Sequence, residues 1–437
     1  MSFANAIKLV AILSLSAVSS TSRADRDTTA LAGPSPFLIV FAGDTDESDE
    51  DFIAIVDLRP DSSSAGDIVA TMPIGTKASM PHHFEYELPP PGRLLFANSH
   101  YHEETLLLDV SDPLRVAVRG RLRPPSPLRF PHDYFRLPNG NVLAGFLRSD
   151  GPSPRSDDRT SPGGHGGIAE YDSLGRLLRT ASAAAPTSEP VRPYALMALL
   201  DRDRIVTTSA AMMEESAADV VQIWRYSDLG LLHTIAVPPG RNPDGTVAPT
   251  AARAPFALRA LSNGAVLVST YGCSLNLLTG VESENPKIRS VYTFAAAEPT
   301  EPRDYRGACA VPLLLDEKFW LMPVGREETL ITLDVANPNR PHEVSRLDFP
   351  EGFAPHWLAQ DPRSRRLVLG AHEGGQEGLF ILTVDPITGR VTYDDSLRAS
   401  RGRAGYIDLS SRRWPHGATG AGWAHAALFL SHASIVD

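Results

Sequence analysis

Seven stretches of this chain repeat one short pattern, and this repeat constrains the fold more than any other feature. Each stretch has an apolar run, a turn rich in Pro, Gly, Asn or Asp, and a second apolar run; "MPHHFEYELPPPGRLLFANS" and "FPHDYFRLPNGNVLAGF" are two of them. Short apolar runs between such turn residues are typical of β-strands. Long stretches with the period of an α-helix are missing. The sequence therefore predicts an all-β protein made of repeated units.

The register of the repeat is given by a proline at the start of six of the seven units. The residues at the position after it are His82, His132, Tyr194, Phe256, Cys309, His356 and His416, and only the unit of Cys309 lacks the proline. Successive units begin roughly 50 to 60 residues apart. Most of them add a third and a fourth strand-like run, which is typical of a β-propeller blade. We therefore predict a seven-bladed β-propeller.

The two ends of the chain complete each other in this scheme. The N-terminal segment "FLIVFAGDTDESDEDFIAIVDLRPDSSSAGDIVATMPI" contains three strand-like runs with no opening Pro-His unit before them. The C-terminal segment "PHGATGAGWAHAALFLSH" contains the remaining inner strand. Pairing the two would close the ring and leave no open sheet edge. We expect one propeller domain over residues 37–437, closed by strands from both termini.

The N-terminal residues 1–24 have the pattern of a secretory signal peptide. Lys8 precedes an apolar run, and small residues follow up to Ala24, where we expect cleavage. No later run is long enough to span a membrane. The chain has a formal net charge of −11 and scattered basic residues, which argues against nucleic acid as a partner. The expected protein is periplasmic or secreted, with no membrane span once the signal is removed.

The chain has two cysteines, Cys273 and Cys309. In an oxidising compartment they can form one disulfide. Two small buried residues without a bond are an equal alternative, because two cysteines carry no spacing pattern.

The recurrent histidines predict a metal site. The first strand of each propeller blade lines the central channel, so residues at the starts of these strands meet at one mouth of it. His82, His132, His356 and His416 would come from four adjacent blades, and neutral imidazoles are ligands that copper and zinc prefer. His83 adjoins the first of them. His425 competes with His416, since the start of the last inner strand is not fixed by the sequence. Further candidates in the loops near this mouth are His100, His102, His165 and His372.

Two carboxylates lie close in sequence to these histidines. Glu85 and Asp133 could accept hydrogen bonds from ligand imidazoles, or could be ordinary polar residues on a strand. No Ser/His/Asp order, nucleotide-binding glycine loop or zinc-protease helix is present, so no motif supports a hydrolase.

Several of these segments together resemble the selenium-binding protein family, which includes methanethiol oxidases. The segments are "MPHHFEYEL", "RFPHDYFRLPNGNVLAGF", "GGIAEYDSLGRLLRT", "RPYALMALLDRDRIVTTSAAM", "PHWLAQDPRSRRLVLG" and the closing "WPHG…AHAALF". The resemblance covers nearly all of the chain after the signal. It implies a seven-bladed propeller whose histidines hold copper and which oxidises a small thiol with oxygen to an aldehyde, hydrogen sulfide and hydrogen peroxide. It carries over to His82, His83, His132, His356 and either His416 or His425.

This chain departs from the family pattern at two points. The segment "FEYELPPPGRLLF" after the histidine pair lacks the cysteine motif of members to which selenium binding is attributed. Tyr194 stands where relatives would have a histidine, which removes one ligand candidate on the third blade.

Three functions from different classes are compatible with the sequence. The first is an exported copper oxidase acting on a small sulfur compound such as methanethiol, with zinc as the alternative metal. The second is a propeller that binds a metal or ligand without turnover. The third is a protein-interaction platform in which the histidines are incidental. Propellers serve all three purposes, so the fold alone does not separate them.

Overall fold

This computed structural model of the protein contains seven antiparallel blades of at least four strands each, arranged as a β-propeller. The described residues are 33–150, 163–212, 216–242, 245–294, 309–371, 377–397 and 402–431. The predicted signal segment 1–24 and His372 lie outside them. The predicted all-β, seven-bladed propeller is confirmed.

The first three blades follow one another along the chain, and each runs from the inner strand to the outer one. Their strands are Pro81–Phe84, Leu95–Ser99, Glu104–Asp109 and Ala117–Leu122 in blade 1; Leu128–Arg136, Val142–Ser149, Gly167–Tyr171 and Leu177–Ser182 in blade 2; and Pro193–Leu199, Arg204–Ser209, Val220–Arg225 and Gly230–Ala236 in blade 3.

The next three blades repeat this arrangement, and blade 6 carries an additional strand, Tyr406–Asp408, beside its third strand. The strands are Pro255–Ala260, Val266–Thr270, Ser274–Thr279 and Lys287–Thr293 in blade 4; Leu313–Leu315, Phe319–Val324, Thr329–Asp334 and His342–Asp348 in blade 5; and Pro355–Gln360, Arg366–Ala371, Gly378–Val384 and Val391–Tyr393 in blade 6.

Blade 7 is assembled from both ends of the chain, as predicted. Its inner strand is Gly422–Leu430, and its three outer strands are Phe37–Asp44, Glu50–Asp57 and Ile68–Lys77. The backbone of Phe37 pairs with that of Leu430 across the closure. Ser35 also ties the N-terminal segment to blade 6, because its N–H and hydroxyl donate to the Asp361 carboxylate at 2.9 and 2.5 Å. These bonds close the ring and satisfy the edge of the inner strand.

The burial of each strand explains its composition. The second strand of blade 7, "FLIVFAGD", is buried at all eight positions because neighbouring blades cover both of its faces. The outermost strand of blade 5, "HEVSRLD", is exposed or half-buried throughout and is mostly polar. A nearly continuous apolar run therefore marks this enclosed strand, and a mixed, mostly polar run marks the blade edge.

Short elements lie in the turns within blades and in the connections between them. Four 3-10 helices occupy His100–His102, Leu200–Arg202, Pro249–Ala252 and Gly325–Glu327. Two small hairpins pair Gly240–Arg241 with Val247–Ala248 and Arg412–Arg413 with Thr419–Gly420. Among the described residues, no helix has both the length and the apolar character needed to cross a membrane.

Candidate metal centre

A β-bulge at the start of the inner strand determines where the recurrent histidines point. In blade 2, Pro131 pairs with Phe146 and Asp133 pairs with Gly145, so His132 between them has no partner across the ladder. A bulged residue is freed from the regular alternation of the strand, and its side chain is redirected. The residues at the equivalent bulges of six blades are His82 and His83 (blade 1), His132 (blade 2), Tyr194 and Ala195 (blade 3), Phe256 (blade 4), His356 (blade 6) and His425 (blade 7).

The bulge of blade 1 is wider and takes in both members of the histidine pair. Pro81 pairs with Ser99, and the next paired residue is Phe84. In place of the missing ladder bonds, the side-chain Oδ1 of Asn98 accepts the backbone N–H of His82 at 3.2 Å and that of His83 at 2.7 Å. In a regular strand the two histidines would face opposite sides. The bulge instead brings both rings to the same cluster.

His416, one of the two candidates in the last unit, is not at a bulge of an inner strand. It lies in the turn of the small hairpin Arg412–Arg413/Thr419–Gly420, before the inner strand begins at Gly422. Its ring packs on Phe52, with 5.3 Å between centroids, and its Nδ1 lies 2.6 Å from the Thr71 hydroxyl. The register drawn from the Pro-His pair is therefore wrong for blade 7, because a hairpin separates this pair from the strand. His425 has the equivalent position.

The bulged histidines of four adjacent blades come together. The ring centroids of His82 and His425 are 3.8 Å apart, and those of His82 and His83 are 4.3 Å apart. His132 adjoins His83 at 4.5 Å, and His356 adjoins His425 at 4.5 Å. Each of these five histidines is at most 3 % exposed. The structure brings together His82, His132 and His356 as predicted, with His83 beside them and His425 in place of His416; metal binding by these residues stays a prediction.

Three of these histidines lie close enough together to be a candidate ligand set. Three ring nitrogens, one from each of His82, His83 and His425, lie within 4.8 Å of one another. Two nitrogens on one ion lie about 3 to 4 Å apart, since each is about 2 Å from the metal. Both ring nitrogens of His82 and of His83 are buried without a hydrogen-bond partner among the described residues. Buried polar atoms are normally satisfied, so these nitrogens fit a cation between them.

The tautomer of His132 is fixed by its neighbour on blade 3. Its Nδ1 lies 2.7 Å from the backbone carbonyl of Tyr194. A carbonyl only accepts, so Nδ1 carries the hydrogen, and Nε2 has its lone pair free. Nε2 is buried and has no hydrogen-bond partner among the described residues. Such a carbonyl behind a ligand imidazole is a usual arrangement in metal sites.

Burial keeps these imidazoles neutral. Desolvation, and then the neighbouring histidines, lower the pKa of His82 and of His132 well below the usual 6.5. Burial also lowers the pKa of His100 to about 3. The neutral form is the one that binds a metal. At neutral pH His82 and His132 are therefore available as nitrogen ligands.

The loop histidines have separate environments. His100 is buried beside the cluster, with its ring centroid 5.8 Å from that of His82. His102 lies at the surface, where its Nε2 contacts the Lys77 carbonyl at 3.0 Å. His165 accepts the backbone N–H of Val191 at 3.0 Å. Of the three described loop histidines, only His100 adjoins the cluster.

The two carboxylates near the cluster also differ. Glu85 is held by Arg136 through two bonds of 2.6 and 2.7 Å and by the Phe96 N–H at 2.9 Å, so it orients no imidazole. Asp133 instead faces His83, with 3.8 Å between its Oδ1 and the ring Nδ1. Glu85 therefore does not orient a ligand imidazole, and for Asp133 this role stays a prediction.

The rest of the ring of inner strands is aromatic. The Tyr194 ring lies 3.8 Å from that of His132, and its hydroxyl bonds to the Tyr271 hydroxyl. Phe256 stacks on Tyr271 at 4.1 Å. Cys309, the aligned residue of the fifth unit, forms a disulfide with Cys273. This settles the two alternatives for the cysteines and leaves no thiol of this chain to act as a ligand.

Three residues of the site escaped the sequence analysis. Trp357 and Tyr86 stack in parallel at 5.2 Å, and the Trp357 ring lies 5.2 Å from that of His83. Asn98 supports the histidine pair from the next strand. Trp357 could have been found from the sequence, because it directly follows His356. No pattern in the sequence singles out Asn98 or Tyr86.

The fold and the cluster define the protein as a seven-bladed β-propeller with a buried group of histidines from four adjacent blades. Among solved structures it is similar to a hypothetical selenium-binding protein from Sulfolobus tokodaii, with a TM-score of 0.68 and 15% identity over 92% of this chain and 94% of that one. It is also similar to the periplasmic gluconolactonase of Pseudomonas aeruginosa, with a TM-score of 0.56 and 16% identity over 85% of this chain and 97% of that one.

A putative 6-phosphogluconolactonase from Bacteroides uniformis gives a TM-score of 0.56 at 12% identity, over 86% of this chain and 98% of that one. At such identities the likeness shows the propeller fold alone. No protein-family model and no curated protein matches the chain.

Proposed function

We propose that this protein is an exported copper-holding propeller of the selenium-binding protein type that oxidises a small thiol such as methanethiol. The observation that carries the proposal is the meeting of His82, His83 and His425, with His132 and His356 beside them. The likeness to the Sulfolobus tokodaii structure and the family's segments in the sequence support the assignment.

The donor set favours copper, with zinc as the alternative. Imidazole nitrogen suits both metals, and copper(II) binds a given nitrogen site more tightly than other divalent metals of the series. The three spaced ligand candidates are all histidines, and the chain's two cysteines are joined to each other. A thiolate or carboxylate from the chain is therefore not needed to build the site, and a substrate sulfur could take an open position.

The proposed reaction takes methanethiol, oxygen and water to formaldehyde, hydrogen sulfide and hydrogen peroxide. Copper would supply binding of the substrate sulfur and transfer of electrons to oxygen. The chain's own part is to hold neutral imidazoles in place, to fix the tautomer of His132 through the Tyr194 carbonyl, and to keep bulk water from the cluster. A substrate must be small, because the histidines are almost completely enclosed.

The same enclosure favours a second candidate, a propeller that holds the metal without turnover. Each of the five clustered histidines is at most 3 % exposed, so a substrate would have to pass the residues that cover them. A site of this kind would store or deliver copper.

Export belongs to the proposal and has its own support. The pattern of residues 1–24 favours secretion, and the Cys273–Cys309 disulfide is compatible with an oxidising compartment. N-terminal sequencing of protein recovered from the periplasm or the medium tests it. A mature N-terminus near residue 25 supports export, and an intact Met1 in the cytoplasm contradicts it.

Metal analysis followed by oxygen uptake tests the function. Protein expressed with its own leader should contain close to one copper per chain after exposure to Cu²⁺, and the His425→Ala variant should lose it. Oxygen consumption with methanethiol, together with sulfide release, then separates oxidase from storage. Wild-type protein that holds neither copper nor zinc would leave the interaction platform as the remaining function.

A further inference from the structure

Asp133 is a buried carboxylate that the fold only half satisfies. It follows His132 on the inner strand of blade 2 and is fully enclosed. Its Oδ2 accepts the backbone N–H of Leu196 on blade 3 at 2.9 Å. Its Oδ1 is buried without a hydrogen-bond partner, and no lysine or arginine nitrogen within the described chain lies at ion-pair distance from this carboxylate. Burying a carboxylate without a compensating cation is costly.

The unsatisfied oxygen faces an unsatisfied nitrogen of the histidine cluster. His83 Nδ1 lies 3.8 Å from Asp133 Oδ1 and is likewise buried without a hydrogen-bond partner. This separation is too long for a hydrogen bond. A small rotation of the imidazole would bring the two atoms into range. Both are satisfied at once if Nδ1 carries a hydrogen and donates it to the carboxylate.

The neighbouring carboxylate shows what a purely structural role looks like. Glu85, two residues after His83, is similarly buried, but Arg136 neutralises its charge and the Phe96 N–H fills one lone pair. Asp133 has no arginine or lysine partner among the described residues; besides the Leu196 N–H, its polar neighbours are the Tyr86 hydroxyl and the His83 ring. No cationic side chain of the described residues therefore neutralises this carboxylate, and a metal ion held by the adjacent histidines could do so.

We propose that Asp133 is the positioning residue of His83: it accepts the Nδ1 hydrogen, so that Nε2 of His83 is presented to the metal, and its charge compensates the bound cation. The proposal rests on the metal site of the proposed function. A carboxylate behind a ligand imidazole orients the ring and raises its basicity. With His132, whose Nδ1 donates to Tyr194, two adjacent ligands of the cluster would then bind through Nε2.

The variant Asp133→Asn separates this role from a structural one. Asparagine keeps the shape and can still accept from Leu196 N–H, but it turns a donor toward His83. Nδ1 of His83 would then accept, its hydrogen would move to Nε2, and the ligand atom would be blocked. We expect Cu²⁺ affinity, measured by competition with a chelator, to fall about 10- to 100-fold. The metal-free protein should be about as stable as wild type, because asparagine keeps the shape of the side chain and the bond to the Leu196 N–H.

Glu85→Gln is the matched control, since it neutralises a buried carboxylate in the same region. It should lower stability, because Arg136 loses its partner, and leave Cu²⁺ affinity close to wild type. A third measurement is the tautomer of His83 in metal-free protein labelled with ¹⁵N-histidine, read by long-range ¹H–¹⁵N correlation. Wild type should carry the hydrogen on Nδ1, and Asp133→Asn should carry it on Nε2.

These measurements separate a failure of the proposed role of Asp133 from a failure of the proposed metal site. Copper affinity of Asp133→Asn within about threefold of wild type overturns the proposal, as does a hydrogen on Nε2 of His83 in the wild type. The second result needs no variant and applies even if Asp133→Asn does not fold. The wild type could bind no metal while the His83 tautomer still differs between wild type and Asp133→Asn. That result would contradict the proposed function and support the role of Asp133 in orienting the ring.

Discussion

The side-chain oxygen of Asn98 accepts the backbone N–H groups of both His82 and His83, at 3.2 and 2.7 Å. Its Nδ2 donates to the His132 carbonyl on the next blade at 3.0 Å. One amide thus replaces the missing ladder bonds of a wide bulge and connects two blades that supply histidines. The histidine pair faces the cluster because this side chain holds the backbone out of regular strand geometry.

Replacing Asn98 by alanine should disturb the cluster without touching a histidine. Two buried N–H groups lose their acceptor, and we expect unfolding to become easier by about 2 to 4 kcal/mol. Copper affinity should also fall, since the His82–His83 backbone is released. Asn276→Ala is the control, because Asn276 is also fully buried but lies on blade 4. It should lose stability and keep copper affinity; equal copper binding in both variants would contradict the role of Asn98.

Alanine substitutions at His425 and His416 decide between the two candidates in the last unit. His425 lies in the ligand-spaced group, whereas His416 contacts Thr71 and Phe52 in a hairpin. We expect His425→Ala to lower copper affinity by at least about tenfold, and His416→Ala to bind copper like wild type. Metal content after dialysis against a chelator measures both. Loss of copper from His416→Ala alone would exclude the site described above.

Removal of the His132 ring should weaken copper binding and leave the propeller folded. The ring donates to the Tyr194 carbonyl and presents Nε2 to the cluster. We expect a fall in copper affinity of at least about tenfold in His132→Ala, with the β-sheet circular dichroism of the wild type. Added imidazole should restore part of the affinity by filling the vacated position. Full copper occupancy in this variant without imidazole would exclude His132 as a ligand.

Acid should destabilise the metal-free protein from about pH 6.5 downward. The pKa values of His82, His132 and His100 are lowered in the fold, that of His100 to about 3, while the unfolded chain has ordinary histidines near 6.5. Below pH 6.5 the unfolded state therefore binds more protons, so the free energy of unfolding decreases as pH falls. Each of these groups contributes up to about 1.4 kcal/mol per pH unit.

Urea unfolding of metal-free protein between pH 7.5 and 5 measures this effect in a range above most carboxylate titrations. The His100→Ala variant should show a smaller decrease in stability over the same range. Stability that is constant or rises as pH falls from 7 to 5 would contradict neutral, buried imidazoles.

The Cys273–Cys309 disulfide should stabilise the fold because it closes a loop of the chain. Cys273 and Cys309 are 36 residues apart and join blade 4 to the start of blade 5. Closing a loop of this length stabilises a fold by roughly 3 to 4 kcal/mol. The Cys273→Ser/Cys309→Ser double variant should unfold at lower urea concentration and should keep its copper, because neither cysteine is in the ligand-spaced group. Loss of copper in a still folded variant would place the disulfide in the metal site.

The sequence by itself determined the blade count, the closure by both termini and most of the histidine set. Blade strands can be recognised from local sequence: each is a short apolar run ended by turn residues, and the buried strand Phe37–Asp44 is apolar up to its last residue. The regular return of a proline before His82, His132 and His356 fixed the register of the inner strands. In a closed ring, equal register brings these residues to one place, so the cluster could be predicted from spacing.

Only the tertiary structure decided which histidine of the last unit joins the cluster, and how the pair of blade 1 turns inward. Because a hairpin precedes the strand that starts at Gly422, the bulged position falls on His425 and not on His416. Local sequence does not show where a short hairpin ends and a strand begins. The bulge of His82 and His83 depends on Asn98 from the neighbouring strand. Asn98 in turn is held by the His132 carbonyl of the next blade. Contacts of this kind across strands and blades, rather than strand propensity, select the direction of each side chain.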